Sequence, residues 1–256
     1  MLNSRKGKMK QQDLKLVMPD GTTDAVLYTA DDGRPLPGVL FVPDVWSLRD
    51  TSRQMALRVA NLGYTVLMPN PFYRVSAPPV FPFERKDATE EQIANRIGEL
   101  IAPLTPDAVG PDAAVYIDFL TSQPTTSPKP IGIVGFCIGG LITFVASASR
   151  PQKVAVAASF HGGGLYKANN PKSPHLVLPQ ITARLYFGHA VEDNSMNADA
   201  ITELVKALKT WGGHFESEMY EGAHHGWAVP DNPNYNQPQA ERAFEKLTAL
   251  FKENLG

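Results

Sequence analysis

The chain of 256 residues contains one cysteine, Cys137. A single thiol excludes an intramolecular disulfide and any multi-cysteine metal site, so the sequence carries no mark of an oxidising compartment. No apolar run approaches the ~20 residues that a membrane-spanning helix needs. The basic start MLNSRKGKMKQQ has no apolar segment behind it to make a secretory signal. Residues 1–12 are therefore expected to be a disordered leader, and the protein to be soluble and cytoplasmic. Neither sign of charge dominates: 24 Lys and Arg against 26 Asp and Glu leave a formal net charge of −2. That balance gives no electrostatic footprint for nucleic acid or a membrane surface. There is also no internal repeat and no linker that would divide the chain. With 43% apolar residues, what remains is an ordinary globular profile, within reach of the about 200–250 residues of a single α/β domain. A lone cysteine in such a chain is usually a small buried hydrophobe.

What is present follows a regular order. Residues 14–18 (LKLVM) and 24–29 (DAVLYT) read as antiparallel strands joined by the turn-rich PDGTT. The continuous apolar run GVLFVP at 38–43 is expected of a strand buried on both faces of a parallel sheet. A helix over 50–62 and a strand at 64–69 (YTVLMP) follow. Prolines at 69, 71, 78, 79 and 82 rule out a helix or central strand beyond it. The result is a long loop, of the kind that tends to be functional or mobile. Helices at 89–102 and 107–122 come next, then a strand at 131–135, a helix at 138–149 and strands at 153–159 and 182–187. A helix at 197–211, a strand at 214–220 and a helix at 237–253 complete the chain. Strands alternating with helices predict a mostly parallel sheet covered on both faces, with the first pair as an antiparallel edge.

The cysteine sits at the most distinctive point of that order. IGIVGFCIGGLITFVASAS at 131–149 reads as a buried strand, a tight turn and an apolar helix. It fits G-x-[S/C]-x-G, the nucleophile elbow, with Gly135 and Gly139 framing Cys137. A nucleophile in that turn has a strained backbone, and side chains at the flanks would strike the neighbouring strand or helix. It also lies at a helix N-terminus, where unpaired N–H groups and the dipole favour an anion. GFCIGG has no Walker lysine and lacks GxGxxG spacing, so a phosphate loop is the weaker reading. An acid and a histidine then follow at the ends of later strands. Asp193 comes 56 residues after Cys137 in LYFGHAVEDNSM, and His225 comes 32 residues after that in EMYEGAHHGW. Nucleophile, acid, histidine is the chain order of the α/β-hydrolase triad, and all three loops should open at the carboxyl edge of the sheet. Glu192 and His224 adjoin two of these residues, and spacing alone does not choose within either pair.

Three other patterns compete with this one. SFHGGGL at 159–165 has the look of a lipase oxyanion loop, but it follows the nucleophile where that loop precedes it. It reads as a Gly-rich strand end with His161 near the pocket. His189, Asp193, His224 and His225 form a candidate metal set, though without HExxH-like spacing and without a use for the elbow. A non-catalytic binding module of the same fold would be expected to lack a triad member, and none is missing. Trp46, Phe136 and Trp227 flank the three loops and are candidates to line an apolar pocket.

GFCIGG, EDNSM and YEGAHHGW together resemble the dienelactone hydrolase (carboxymethylenebutenolidase) family. The resemblance extends from GVLFVPDVWSLRD through VANLGYTVLMPNPFYR to the last helix. It implies an α/β-hydrolase fold with Cys137 as nucleophile, Asp193 as acid and His225 as base, the second residue of each ambiguous pair. It also implies an oxyanion hole from the backbone N–H groups of Ile138 and Val45, and Asp44 as the acid that contacts the resting thiol. The expected activity is hydrolysis of an ester or lactone through a thioester, with no cofactor or metal, on a small-molecule substrate, by a monomer or homodimer. The sequence departs from the family where an arginine binds the substrate carboxylate four residues after the histidine: here that position is Val229. Arg74 and Arg85, in and beside the proline-rich loop, are the candidates to replace it, and a broader ester or lactone substrate fits as well.

Overall fold

The computed structural model describes residues 8–256. Strands β1 (Met9–Met18) and β2 (Gly21–Ala30) form the expected hairpin, in register from Met9 opposite Ala30 to Met18 opposite Gly21. The strand thus takes in residues 9–12, which the sequence assigned to a leader; residues 1–7 lie outside the described part. Only Leu16 and Met18 of β1 are buried. Its first half is held by the backbone ladder to β2, which a hydrophobic pattern does not mark.

The other strands are β3 (Gly38–Val42), β4 (Thr65–Pro69), β5 (Ile131–Phe136), β6 (Val154–Phe160), β7 (Arg184–Ala190) and β8 (Phe215–Tyr220). They join the hairpin in one sheet of order β1-β2-β4-β3-β5-β6-β7-β8. From β4 to β8 all neighbours are parallel, and β2 meets β4 antiparallel. The helices are α1 (Asp50–Ala60), α2 (Glu90–Ile101), α3 (Pro106–Ser122), α4 (Ile138–Ser149), α5 (Ala198–Trp211) and α6 (Gln237–Leu255). Alternate residues of the fully buried strands feed two apolar layers. Leu40, Val42, Ile131 and Ile133 face the layer that holds α3, α4 and α5, while Val39, Phe41, Val134 and Phe136 face that of α1 and α6.

Helix ends follow local chemistry. Thr89 and Gln92 form a reciprocal capping box at the start of α2, and the Asn197 side chain accepts the Ala200 N–H at the start of α5. A 3-10 turn over Pro174–Gln180 was not expected. The proline-rich loop contains no regular element before 85, and its Asn70 accepts hydrogen bonds from Ser47 Oγ and the Phe72 N–H. Among the described residues no helix is long and apolar enough to cross a membrane.

Candidate active site

Cys137 joins β5 directly to α4 with φ 57° and ψ −124°, a region that non-glycine residues occupy only when their surroundings impose it. The surroundings here are two glycines. A Cβ on Gly135 would lie 2.1 Å from the Gly139 carbonyl oxygen, and one on Gly139 would lie 2.4 Å from the carbonyl oxygens of Val42 and Pro43. These are backbone atoms with nowhere to go. Gly139→Ala is therefore expected to destabilise the fold by about 1–3 kcal/mol, read as a lower midpoint in urea unfolding, and to lower activity by pushing the chain after β3 out of place.

The loops after β7 and β8 bring the predicted partners to the sulfur. His225 Nε2 lies 3.0 Å from Cys137 Sγ, and His225 Nδ1 lies 2.7 Å from Asp193 Oδ2. Asp193 is buried and His225 bonds to it, whereas Glu192 and His224 are exposed. The other oxygen of Asp193 accepts the Ser195 N–H at 2.8 Å and the Ser195 hydroxyl at 2.6 Å. Burial opposes charge on Asp193, yet its bonds to His225 and Ser195 carry the pKa from 3.8 down to about 2. Burial likewise opposes charge on His225, but hydrogen bonds and charge from Asp193 and Cys137 outweigh it and raise the pKa from 6.5 to about 10. The site is built to hold a proton on His225. Ser195 was missed in the sequence, although the Asp-x-Ser spacing that closes its turn is visible there.

Sγ opens on a cavity of about 470 Å³ lined by Val45, Trp46, Ile97, Ile101, Ile138, Leu141 and His161 among others. Ile138 is the first residue of α4, where a backbone N–H has no intrahelical acceptor. Trp46 stacks on Phe81 at 3.8 Å between ring centroids, and the Arg85 guanidinium lies over the Trp46 ring at 4.7 Å. Arg85 and Lys167 are the cations on the cavity wall; Lys167, from the loop after β6, had no signal in the sequence beyond that loop. His161 is fully buried, and its Nδ1 accepts the Cys137 N–H at 3.1 Å, which leaves the ring proton on Nε2. Burial first, and the charge of His225 second, hold its pKa well below 6.5.

Several expected residues are elsewhere. Phe136 is wedged between Phe41 and Phe160, and Trp227 is fully buried with its ring stacked on Tyr220, so both are core beneath the site rather than pocket wall. Their side chains point to the α6 layer because strand alternation and the turn after β8 send them there. Arg74 is bound to Asp112 and Asp20, with its guanidinium over Tyr73, away from the cavity. Val229 is buried in the apolar layer of α1 and α6 and does not face the cavity. Asp44 lines the cavity, but its carboxylate does not reach for the thiol: Arg49 takes both oxygens, at 2.6 and 2.9 Å, and Oδ1 also accepts the Trp46 N–H. The alternative metal set is not assembled. His189 is buried with Nε2 3.0 Å from Ser217 Oγ, His224 is exposed, and Asp193 and His225 bind each other; among the described residues no three candidate ligands gather in one place.

A parallel sheet with an antiparallel edge, a strained elbow at the end of its central strand and an acid and histidine from the loops after β7 and β8 define an α/β-hydrolase. A family model for the dienelactone hydrolase family matches residues 23–255, and the chain belongs to that family of carboxylic ester and lactone hydrolases. A Synechocystis protein named "Putative carboxymethylenebutenolidase" is 27% identical over 222 residues, 86% of this chain and 87% of that protein. Among solved structures, a "Putative Dienelactone Hydrolase" from Klebsiella pneumoniae superposes with a TM-score of 0.82 at 20% identity, covering 96% of this chain and 99% of that one. A dienelactone hydrolase-like promiscuous phosphotriesterase from metagenomic libraries superposes with a TM-score of 0.78 at 18% identity, covering 98% and 100%.

Proposed function

We propose that the described residues form one catalytic domain that cleaves an ester or lactone through a Cys137–His225–Asp193 triad. The reading rests above all on the continuous chain from Cys137 Sγ through His225 to Asp193, at 3.0 and 2.7 Å, on the floor of an open cavity. With its proton already held on His225, Cys137 Sγ attacks the carbonyl carbon, forming the S–C bond as the C=O π pair moves onto oxygen. The N–H groups of Ile138 and Val45 hold the oxyanion. Collapse breaks the C–O bond, and the alkoxide takes the proton from His225. In a lactone both products stay on one molecule. Acylation removes the sulfur's share of the forces that raise the His225 pKa, so the imidazole returns toward neutrality. It can then accept a proton from the water that attacks the thioester; collapse breaks the C–S bond, and the acid product leaves with the sulfur freed and the proton back on His225.

This cycle fixes a pH dependence. His225 must carry the proton in the free enzyme, and its pKa there is raised to about 10. A plot of kcat/KM against pH should therefore fall on an alkaline limb well above the ordinary histidine range, because that plot reports the free enzyme. A limb centred between about 6 and 7 would contradict the assignment.

The cavity wall supports a reading of the substrate class. An acyl or alcohol chain fits against Trp46, Ile97, Ile101 and Leu141, and an anionic group can meet Arg85 or Lys167. Arg85→Ala is expected to raise KM for 4-nitrophenyl hemisuccinate about 10-fold more than for 4-nitrophenyl acetate, a charged hydrogen bond being worth that much. Equal changes for both esters would remove the anionic group from the substrate. The reading as a whole is tested by stoichiometric alkylation: one equivalent of iodoacetamide at Cys137 should stop turnover of both esters and of a neutral lactone.

A further inference from the structure

Arg49 stands between two catalytic loops that are far apart in sequence. It is the N-cap residue of α1. Its Nη1 and Nη2 donate to Asp44 at 2.6 and 2.9 Å, and its Nε and Nη2 donate to Asp231 at 2.7 Å each. Asp44 immediately precedes Val45, and Asp231 lies six residues after His225 in the same loop. The turn itself is fixed from the other side, since Ser52 Oγ accepts the Arg49 N–H and donates to the Ser47 carbonyl. An exposed pair of this kind would count for little. This one is not exposed: the Asp44 side chain is 7% accessible and that of Arg49 is 20%, against 43% for Asp231. Water can screen Asp231, whereas Asp44 depends on the guanidinium.

Asp44 also lines the cavity into which Cys137 opens. A bare carboxylate there would oppose the negative charge that develops on the substrate oxygen. We propose that Arg49 is a positioning residue for hydrolysis: it neutralises Asp44 beside the oxyanion hole and ties the loop of Val45 to the loop of His225. The inference rests on the thiol mechanism above. It assigns the guanidinium no contact with substrate; its effect passes through Asp44 and Val45. A bidentate fork on one carboxylate and a second carboxylate on its remaining edge is a task that arginine performs and a point charge does less well.

The test compares two reactions of the same sulfur. Hydrolysis of 4-nitrophenyl acetate makes an oxyanion, whereas alkylation of Cys137 by iodoacetamide does not, and Cys137 is the only cysteine in the chain. Arg49→Gln is expected to lower kcat for the ester by about 10- to 100-fold, a little less than loss of an oxyanion donor, while the alkylation rate stays within about 3-fold. Asp44→Asn combined with Arg49→Gln should recover most of the loss, because the uncompensated carboxylate is gone. Arg49→Lys keeps the charge and should lie between wild type and the glutamine variant; it carries the comparison if Arg49→Gln does not fold. Ester turnover unchanged in the glutamine and lysine variants, alkylation falling in parallel with turnover, or a double variant no better than Arg49→Gln would each overturn the proposal. Failure of the underlying mechanism has a different signature: wild-type enzyme alkylated at Cys137 would still hydrolyse the ester.

Discussion

Cys137→Ala is expected to lower kcat for ester hydrolysis by about 10⁶-fold, the scale on which a covalent enzyme loses its nucleophile. Nothing else in the site can substitute. Ser195 is near His225 Nδ1 at 3.4 Å, but its hydroxyl is spent on Asp193 at 2.6 Å and lies on the wrong side of the imidazole. The substitution leaves the backbone alone, since alanine carries the same Cβ into the conformation at φ 57°. Unfolding in urea should therefore stay cooperative. The variant has a second consequence that can be read by NMR. With the sulfur gone, its hydrogen bond and charge no longer help to raise the His225 pKa to about 10, so the imidazole titrates lower. Stability that the proton on His225 contributes is complete below pH 6.5 and is lost as pH rises through about 10 in the wild type. In the alanine variant that loss begins at lower pH.

Asp193→Asn is expected to cost about 10⁴-fold in kcat, with KM changed far less. The asparagine carbonyl would keep the two Ser195 hydrogen bonds, which are made to Oδ1 at 2.8 and 2.6 Å. Its amide would then face His225 Nδ1, where the carboxylate accepts at 2.7 Å. An amide donor there forces the ring proton onto Nε2, toward the sulfur, and the imidazole can no longer receive the thiol proton. Glu192→Gln is the control, because that side chain is exposed; its effect should stay within the small range of surface substitutions. Acid unfolding separates the two variants as well. The ionic contribution of Asp193 is present above pH 3.8 and is lost as pH falls through about 2, so only the asparagine variant should lose that part of its acid dependence.

The sequence carried the elbow because its requirements are local. A Cβ on either Gly135 or Gly139 would come within 2.5 Å of backbone atoms, so no other residue type fits. The acid and histidine were legible for a topological reason: each successive parallel strand ends at the same edge, so chain order becomes proximity. Side-chain direction was less legible. Phe136 and Trp227 lie beside Cys137 and His225 in sequence, but period-two alternation turns Phe136 to the opposite layer, and the turn after β8 buries Trp227 on Tyr220. Arg74 and Arg85 look alike in a loop without periodicity. Only the approach of α3, with Asp112, draws one into an ion pair and leaves the other over Trp46. The Arg49–Asp231 contact spans 182 positions and follows from no local pattern. Asp44 was placed correctly at the end of β3, but its partner was not visible, because a bidentate pair is decided by where α1 begins.

The most direct test of the mechanism is to trap the acyl-enzyme. Wild-type protein mixed with a slowly deacylating 4-nitrophenyl ester and quenched in acid within the burst should gain one acyl mass. Digestion should place that mass on the peptide containing Cys137, as a thioester cleaved by neutral hydroxylamine, and the Cys137→Ala protein should gain none. Turnover at the same rate with no adduct, or with the acyl group on any other residue, would contradict the account.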